Sequence, residues 1–524
     1  MKTILLSTLV FILPALLLAQ ALKLGEGAKA ILGPQAYMTI GEITSDSPDK
    51  LFIKSSAKGS GSLIYTNQNE EPYATVELWT GEFGQWHFIS PPTTNTIAGN
   101  FPGEGEQWSF VQWYDETVEI TYPPAPNQAN GWTFVVSKDF PINVGQGYAF
   151  LRSAEKTATE NAIVTFTGQL KSKKVSYGNM PPSGLQLLSY SGPPIVQFGW
   201  NLIGNPYSSS IQEDIGSALY NDNMEDAIWI WKGGTYNNYI VWRLGPGGFG
   251  GEHPLIFPMG QAFFVHATGN DPDLILPADK RAHNVKVPIY KKKNVLTEDP
   301  FAYILLHASN SGAKDKITIE LAKEEIKEEY QRESISKFFG PQTSPQLYAV
   351  DNGQNLSIIT FNTPENKSVI DLSYIPGVEG NQEFTAEFTL PEGAEVYLED
   401  LKMDIMHNLI INPEYQFTAA KDDDPERFRI HFSFMPDGLE DNADGNNHFV
   451  NIYAWDKTVY IANSEKQVYP AAQVYIFDLY GRQVFNRKMV LSSLTRIPVL
   501  VNNNYLIVKV IKEGKVYTGK VFIK

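Results

Sequence analysis

The sequence predicts an all-β protein: tandem β-sandwich-like domains preceded by a short β-solenoid-like segment and ending in a small Ig-like β-sandwich. Three observations support this. Among 524 residues, 41 Gly, 33 Pro and 12% aromatics supply many turns and the residue types that cover pleated surfaces. Apolar residues alternate with period two in run after run, each run ending at a turn former. One strand motif also recurs at a fixed spacing.

Lys2, an apolar run from Ile4 to Leu18 and then Ala19-Gln20-Ala21 form the pattern of a removable signal peptide over residues 1–21. This predicts transit of the periplasm and an extracellular or cell-surface location. Residues 22–75 read as short β rungs, with alternation in Ala36-Tyr37-Met38-Thr39-Ile40 and Leu51-Phe52-Ile53. The next stretch is duplicated, giving β-domains at 76–172 and 173–285. Trp86 and Trp200 each open an alternating strand that runs into a proline turn. A Trp-rich strand follows (Trp108; Trp229 and Trp231), then a Gly-Gln step into an aromatic strand (Gly145-Gln146; Gly260-Gln261). Trp86 to Gly145 is 59 residues and Trp200 to Gly260 is 60. Residues 286–435 predict a third β-domain with a helical insertion over 317–338, where the charged run 323–333 carries Ile326 and Tyr330 four apart. The Gly/Asp/Asn-rich residues 436–450 predict a linker. A compact alternating segment, 451–524, ends the chain.

That segment resembles the type A C-terminal sorting domain of proteins exported by the type IX secretion system of Bacteroidetes. The residues that carry the resemblance are the strand leading into Asp478-Leu479-Tyr480-Gly481-Arg482, then Tyr505 to Val510, the Gly514-Lys515 hairpin, and Gly519-Lys520 through Lys524. Where that family has Gly before the Tyr-x-Val strand, this chain has Asn502-Asn503-Asn504, and Asn tolerates a left-handed turn. The resemblance implies an Ig-like sandwich recognised by the secretion machinery and its sortase-like peptidase. Asp478, Gly481, Arg482, Tyr505, Gly514, Gly519, Lys520 and Lys524 would form the signal. The central patterns "GWNLIGNPY", "GQAFFV" and "YLEDLKMDIMHNLIINPEYQFTA" also resemble β-rich passengers of this secretion class.

Composition narrows the chemistry. The absence of cysteine excludes disulfides, thiolate metal sites and a cysteine nucleophile. A net charge of −16 opposes binding to nucleic acid. No nucleophile elbow, zincin motif, phosphate loop or dinucleotide fingerprint occurs, and the eight His lie without ligand spacing. The sequence therefore reads as non-enzymatic and without a cofactor. The alternative is a secreted glycosidase-like hydrolase whose carboxylates converge only in the fold, with Glu71 and Glu77, or Glu399 and Asp400, as candidate pairs. Calcium has two candidate clusters. Asp422-Asp423-Asp424 reads as an exposed turn, and Glu440-x-Asn442-x-Asp444-Gly445 mimics the start of an EF-hand loop but puts Asn451 where the bidentate Glu belongs. Nine of the ten Trp lie between Trp79 and Trp242. Rings beside Asn amides suit sugar stacking, so Tyr236, Asn238, Tyr239 and Trp242 are the candidate ligand-binding residues of an adhesin-like module for glycan or matrix.

Overall fold

The computed structural model describes residues 8–11, 21–81, 85–101, 109–114, 132–135, 137–152, 163–178, 199–212, 223–231, 239–243, 256–269, 272–283, 300–310, 312–328, 331–340, 343–363, 367–391, 394–433, 450–455, 457–463, 471–492, 494–501 and 504–523. The fold is all-β. Two compact units form, one from Met1–Asp299, Gly312–Asp315 and Ile335–Ser344, the other from Pro300–Ser311, Lys316–Ser334 and Pro345–Lys524.

The first unit starts as a parallel solenoid. Ala21–Lys23 pairs with Glu42–Thr44, and Lys29–Leu32 pairs with Leu51–Ile53, each 21 residues further along. Thr8–Phe11, inside the expected leader, lies beside Lys29–Leu32 with the same advance. Tyr37–Ile40 pairs with Ser62–Tyr65 across 25 residues, the extra length looping out as the small hairpin Ser55–Ser56/Gly59–Ser60. Alternation decides what faces inward: Met38 and Ile40 are buried while Thr39 is exposed, and Leu51 and Ile53 flank a half-buried Phe52.

The two repeat copies have one topology. In space, Trp86–Ile89, Tyr148–Arg152, Ser109–Tyr114 and Trp132–Phe134 follow in the same order as Trp200–Gly204, Ala262–His266, Ala227–Trp231 and Tyr239–Arg243. Each copy also has a long antiparallel pair, Tyr73–Trp79 with Ile163–Gln169 and Val175–Gly178 with Asp273–Leu276. The copies exchange equivalent contacts. Ser90 N donates to Gly260 O at 2.9 Å, and Gly204 N donates to Gly145 O at 2.9 Å. Bridges join Ile89 to Gln261 and Ile203 to Gln146. Gly145 (φ 84°) and Gly260 (φ 74°) hold the left-handed step that turns each carbonyl to its partner copy. The repeated tryptophans differ in burial. Trp200 is buried and stacks on His266 at 4.2 Å, whereas Trp86 is half-buried and its carbonyl accepts the Trp231 indole N–H at 2.9 Å.

In the second unit one sheet curls around a single core. Its path is Ile405–Asn408, Glu395–Asp400, Phe428–Ser433, Lys367–Ile375, Gln346–Asp351, Gln354–Phe361, Lys314–Ala322, Phe301–Ser309, Gly380–Thr389 and Glu414–Ala419, enclosing residues from Ala302 to Phe432. The first and last strands on this path are neighbours in sequence, so the sheet returns on itself as a nearly closed barrel. Its seam is stapled by side chains. Arg427 donates to Asp400 at 2.8 and 2.6 Å and to the Thr418 carbonyl at 2.8 Å, while the Tyr415 hydroxyl donates to Asp400 at 2.9 Å. The helical insertion expected over 317–338 is corrected. Lys314–Ala322 is a strand with every residue from Ile317 to Ala322 buried, and Ile335–Ser336 is a short strand. The β-branched Ile317-Thr318-Ile319 run suits a strand covered on both faces, and this outweighs the helix-forming charges after it. Among the described residues those charges lie outside the strands, apart from Glu320, which is buried 3.6 Å from an equally buried Arg332.

Val450–Trp455, Thr458–Asn463 and Leu494–Pro498 form one layer of the C-terminal sandwich. Gln483–Met489, Ala472–Asp478, Asn504–Lys512 and Lys515–Ile523, in that spatial order, form the other. Alternate residues of both layers build a separate core, from Val450 to Ile523. Of the linker expected over 436–450, residues 436–449 lie outside the described residues and Val450 opens the first strand of the sandwich.

Candidate functional site

Of the candidate glycan residues, Tyr239 and Trp242 lie on the strand Tyr239–Arg243, which pairs with Ala227–Trp231. Tyr236 and Asn238 fall outside the described residues. Trp242 pairs with Ile228 through its backbone, and its side chain is likewise outside them. The Tyr239 ring sits among Trp231 at 4.9 Å, Phe338 at 5.0 Å, Phe88 at 6.0 Å and Phe264 at 6.2 Å. Burial pushes its hydroxyl well above the ordinary tyrosine range. The half-buried Tyr239 therefore packs against the aromatic cluster shared by both copies, where the segment Ile335–Ser344 contributes Phe338.

The candidate carboxylate pairs are each committed elsewhere. Glu71 meets Lys171 at 3.2 Å and Glu77 meets Lys54 at 2.5 Å. Glu399 and Asp400 are consecutive in one strand, so their side chains leave on opposite faces. Asp400 serves the barrel seam, and Glu399 turns toward the C-terminal sandwich. In the Asp422-Asp423-Asp424 turn, Asp423 meets Lys402 at 2.5 Å and Arg427 at 3.1 Å, while Asp424 accepts the Glu426 N–H at 3.0 Å. The EF-hand-like stretch 440–445 lies outside the described residues. Among the described residues no group of three His, Asp or Glu is placed to hold a metal ion.

The C-terminal sandwich brings most of the expected signal residues to its surface. Asp478 is buried and accepts the N–H groups of Tyr480 and Arg482, both at 2.9 Å, and Arg482 Nε at 2.6 Å. Burial opposes ionisation of Asp478, but these donors outweigh it and hold the carboxyl below its ordinary value. Gly481 takes φ 77° to close the turn. Leu479 and Tyr480 are thereby held out in solvent, Tyr480 at 86% exposure. On the outer face of the sheet, exposed Tyr505 pairs with Phe522 at 4.9 Å, and Lys520 Nζ lies 4.4 Å from the Tyr505 ring. Glu513 (φ 49°) and Gly514 (φ 80°) make the tight hairpin turn. A Cβ on Gly519 would stand 2.8 Å from the Ile452 side chain, so that position lets the layers meet. Lys524 lies outside the described residues. Residues 451–524 hold eleven Lys and Arg against four Asp and Glu, a charge of +7 that leaves −23 on residues 1–450.

Sequence reasoning missed the junction of sandwich and barrel. Glu399, 1% exposed, takes Arg496 Nη1 at 2.6 Å and His431 Nε2 at 2.8 Å. Because a carboxylate only accepts, Nε2 carries the proton there, and the Tyr453 hydroxyl 3.2 Å away faces an accepting Nδ1. Burial opposes ionisation of Glu399, yet His431 and Arg496 hold its carboxyl below the ordinary value. Burial also holds the His431 imidazole down. Val369 and Tyr397 of the barrel pack with Tyr453 and Tyr460 of the sandwich.

A family model described as "Domain of unknown function (DUF8693)" matches residues 17–432, ending before the C-terminal sandwich. Among solved structures, the chain is similar to a "Biofilm associated protein - BSP domain" at 10% identity and a TM-score of 0.17, with 86% of this chain and 92% of that chain covered. No curated protein matches the chain.

Proposed function

We propose, for a chain that belongs to the DUF8693 family, that it is a non-enzymatic, exported surface protein with two separable parts. The C-terminal sandwich is the address for type IX secretion and is read by that machinery and its sortase-like peptidase. The all-β body is the displayed cargo, an adhesin-like interaction module for glycan or matrix.

The observation that carries this reading is the turn at Asp478. A buried carboxylate locks a two-residue prominence, Leu479-Tyr480, out in solvent on a domain with its own core. Exposing two large apolar side chains on a rigid mount brings no stability, whereas a receptor contact gives them a role. The charge split, +7 on residues 451–524 against −23 on residues 1–450, supports the same division of labour. Deleting residues 451–524 tests the address: the truncated protein should accumulate in the periplasm. Arrival of that protein at the cell surface would refute the assignment. A glycan array probed with the tail-less body, with Trp242→Ala as control, tests the ligand class.

A further inference from the structure

The junction between barrel and C-terminal sandwich is built as a seat for one guanidinium group. Arg496 Nη1 lies 2.6 Å from Glu399 Oε1, while its Nη2 reaches the Asp404 carboxylate. Glu399 lies on the strand Glu395–Asp400, and Asp404 follows in the turn to Ile405–Asn408. Behind them, His431 fixes the second Glu399 oxygen at 2.8 Å and Arg429 stands 3.8 Å away, itself paired with Asp371 at 2.7 Å. Val369 and Tyr397 provide an apolar lip. Apart from the incoming guanidinium and the two sandwich tyrosines, every part of the seat belongs to the barrel. That barrel's core is complete without the sandwich.

We propose that this seat is a binding site for an arginine side chain of a partner protein. In the intact chain Arg496 holds it shut, and it opens when the C-terminal sandwich is removed. The inference rests on reading that sandwich as a removable address. Arginine is selected over lysine by geometry. Two carboxylates from successive parts of one hairpin engage different nitrogens of one planar fork, and a single ammonium is a point donor on a flexible stem. Release favours reoccupation, because it leaves the Glu399 carboxylate with one cationic partner fewer.

The test uses the full chain with a specific protease site placed within residues 434–449 and cut after purification. The cut sandwich should stay on the body at micromolar concentration, as followed by size exclusion. A Gly-Arg-Gly amide peptide should displace it at least about tenfold more effectively than Gly-Lys-Gly. Arg496→Lys on one side and Glu399→Gln on the other should each weaken retention by about a hundredfold. Thermal unfolding of the isolated cut sandwich should be unchanged by Arg496→Lys, since Arg496 lies outside its core. The inference is overturned if both peptides displace it equally, or if Arg496→Lys and Glu399→Gln leave retention of the cut sandwich unchanged. Neither outcome depends on export, so failure of the secretion reading is separately visible in the periplasmic accumulation assay.

Discussion

Asp400→Asn is the sharpest probe of the barrel. The carboxylate is buried and accepts two Arg427 nitrogens and the Tyr415 hydroxyl within 2.9 Å, together with the N–H groups of Lys402 at 3.0 Å and Met403 at 3.2 Å. The substitution keeps shape and size but leaves the Arg427 side chain, 3% exposed, with only Asp423 as a charged partner. Breaking a buried pair on one side costs about 3–5 kcal/mol. For a unit of this size that lowers the melting temperature by roughly 6–20 °C. The loss should be local first. Hydrogen exchange should quicken in Glu414–Ala419 and Ile405–Asn408, the strands on either side of the seam, before the sheet interior. The same bonds set an acid limit. Burial opposes ionisation of Asp400, but Arg427 and Tyr415 hold its carboxyl below the ordinary value. Its contribution is therefore full above about pH 4 and fades as pH falls through the lowered value. A calorimetric cost below about 1 kcal/mol with unchanged exchange at 414–419 would show that the staple does not hold the seam.

Two further outcomes follow from the first unit. His283 bonds Thr39 and Ser62 through its two nitrogens, both at 2.8 Å, and burial lowers its pKa to about 4. The unfolded chain takes up that proton near pH 6.5, so this unit should lose stability from there down toward pH 4, and the His283 ring signal should stay unchanged by NMR from pH 7 to 5. Gly260→Ala should destabilise the repeat pair by about 1–2 kcal/mol in thermal unfolding, because φ is 74° and a Cβ would stand 3.0 Å from Leu78. An unaltered melt would show that the left-handed step is not needed there.

Local chemistry made much of the fold legible. Period-two runs, turn formers and the near-equal 59- and 60-residue spacings point to rungs, repeats and the terminal sandwich. The helix expected at 317–338 failed because charge density and an Ile326/Tyr330 spacing are local signals, while a central strand is decided by what covers its two faces. Glu399 and Asp400 could be named as a pair, but strand geometry sends neighbours to opposite faces, one to the seam and one to the sandwich. Tyr239 carried the composition of a sugar platform, yet its surroundings are rings from residues as distant as Phe88 and Phe338. No sequence window contains those contacts. Arg496 gave no sequence signal, because its partners lie 92 and 97 residues earlier.

The reciprocal Gly-Gln exchange between the repeat copies sets a limit on growth. Parallel rungs are open-ended, and the solenoid pairs each rung with one 21 to 25 residues further along. The contact between the copies is self-complementary: each gives the other what it receives, as across a two-fold axis, and both patches are consumed. A third copy joined to either would find no matching patch left. A gene lengthened by further duplication could extend the solenoid indefinitely, but this pair is already complete at two.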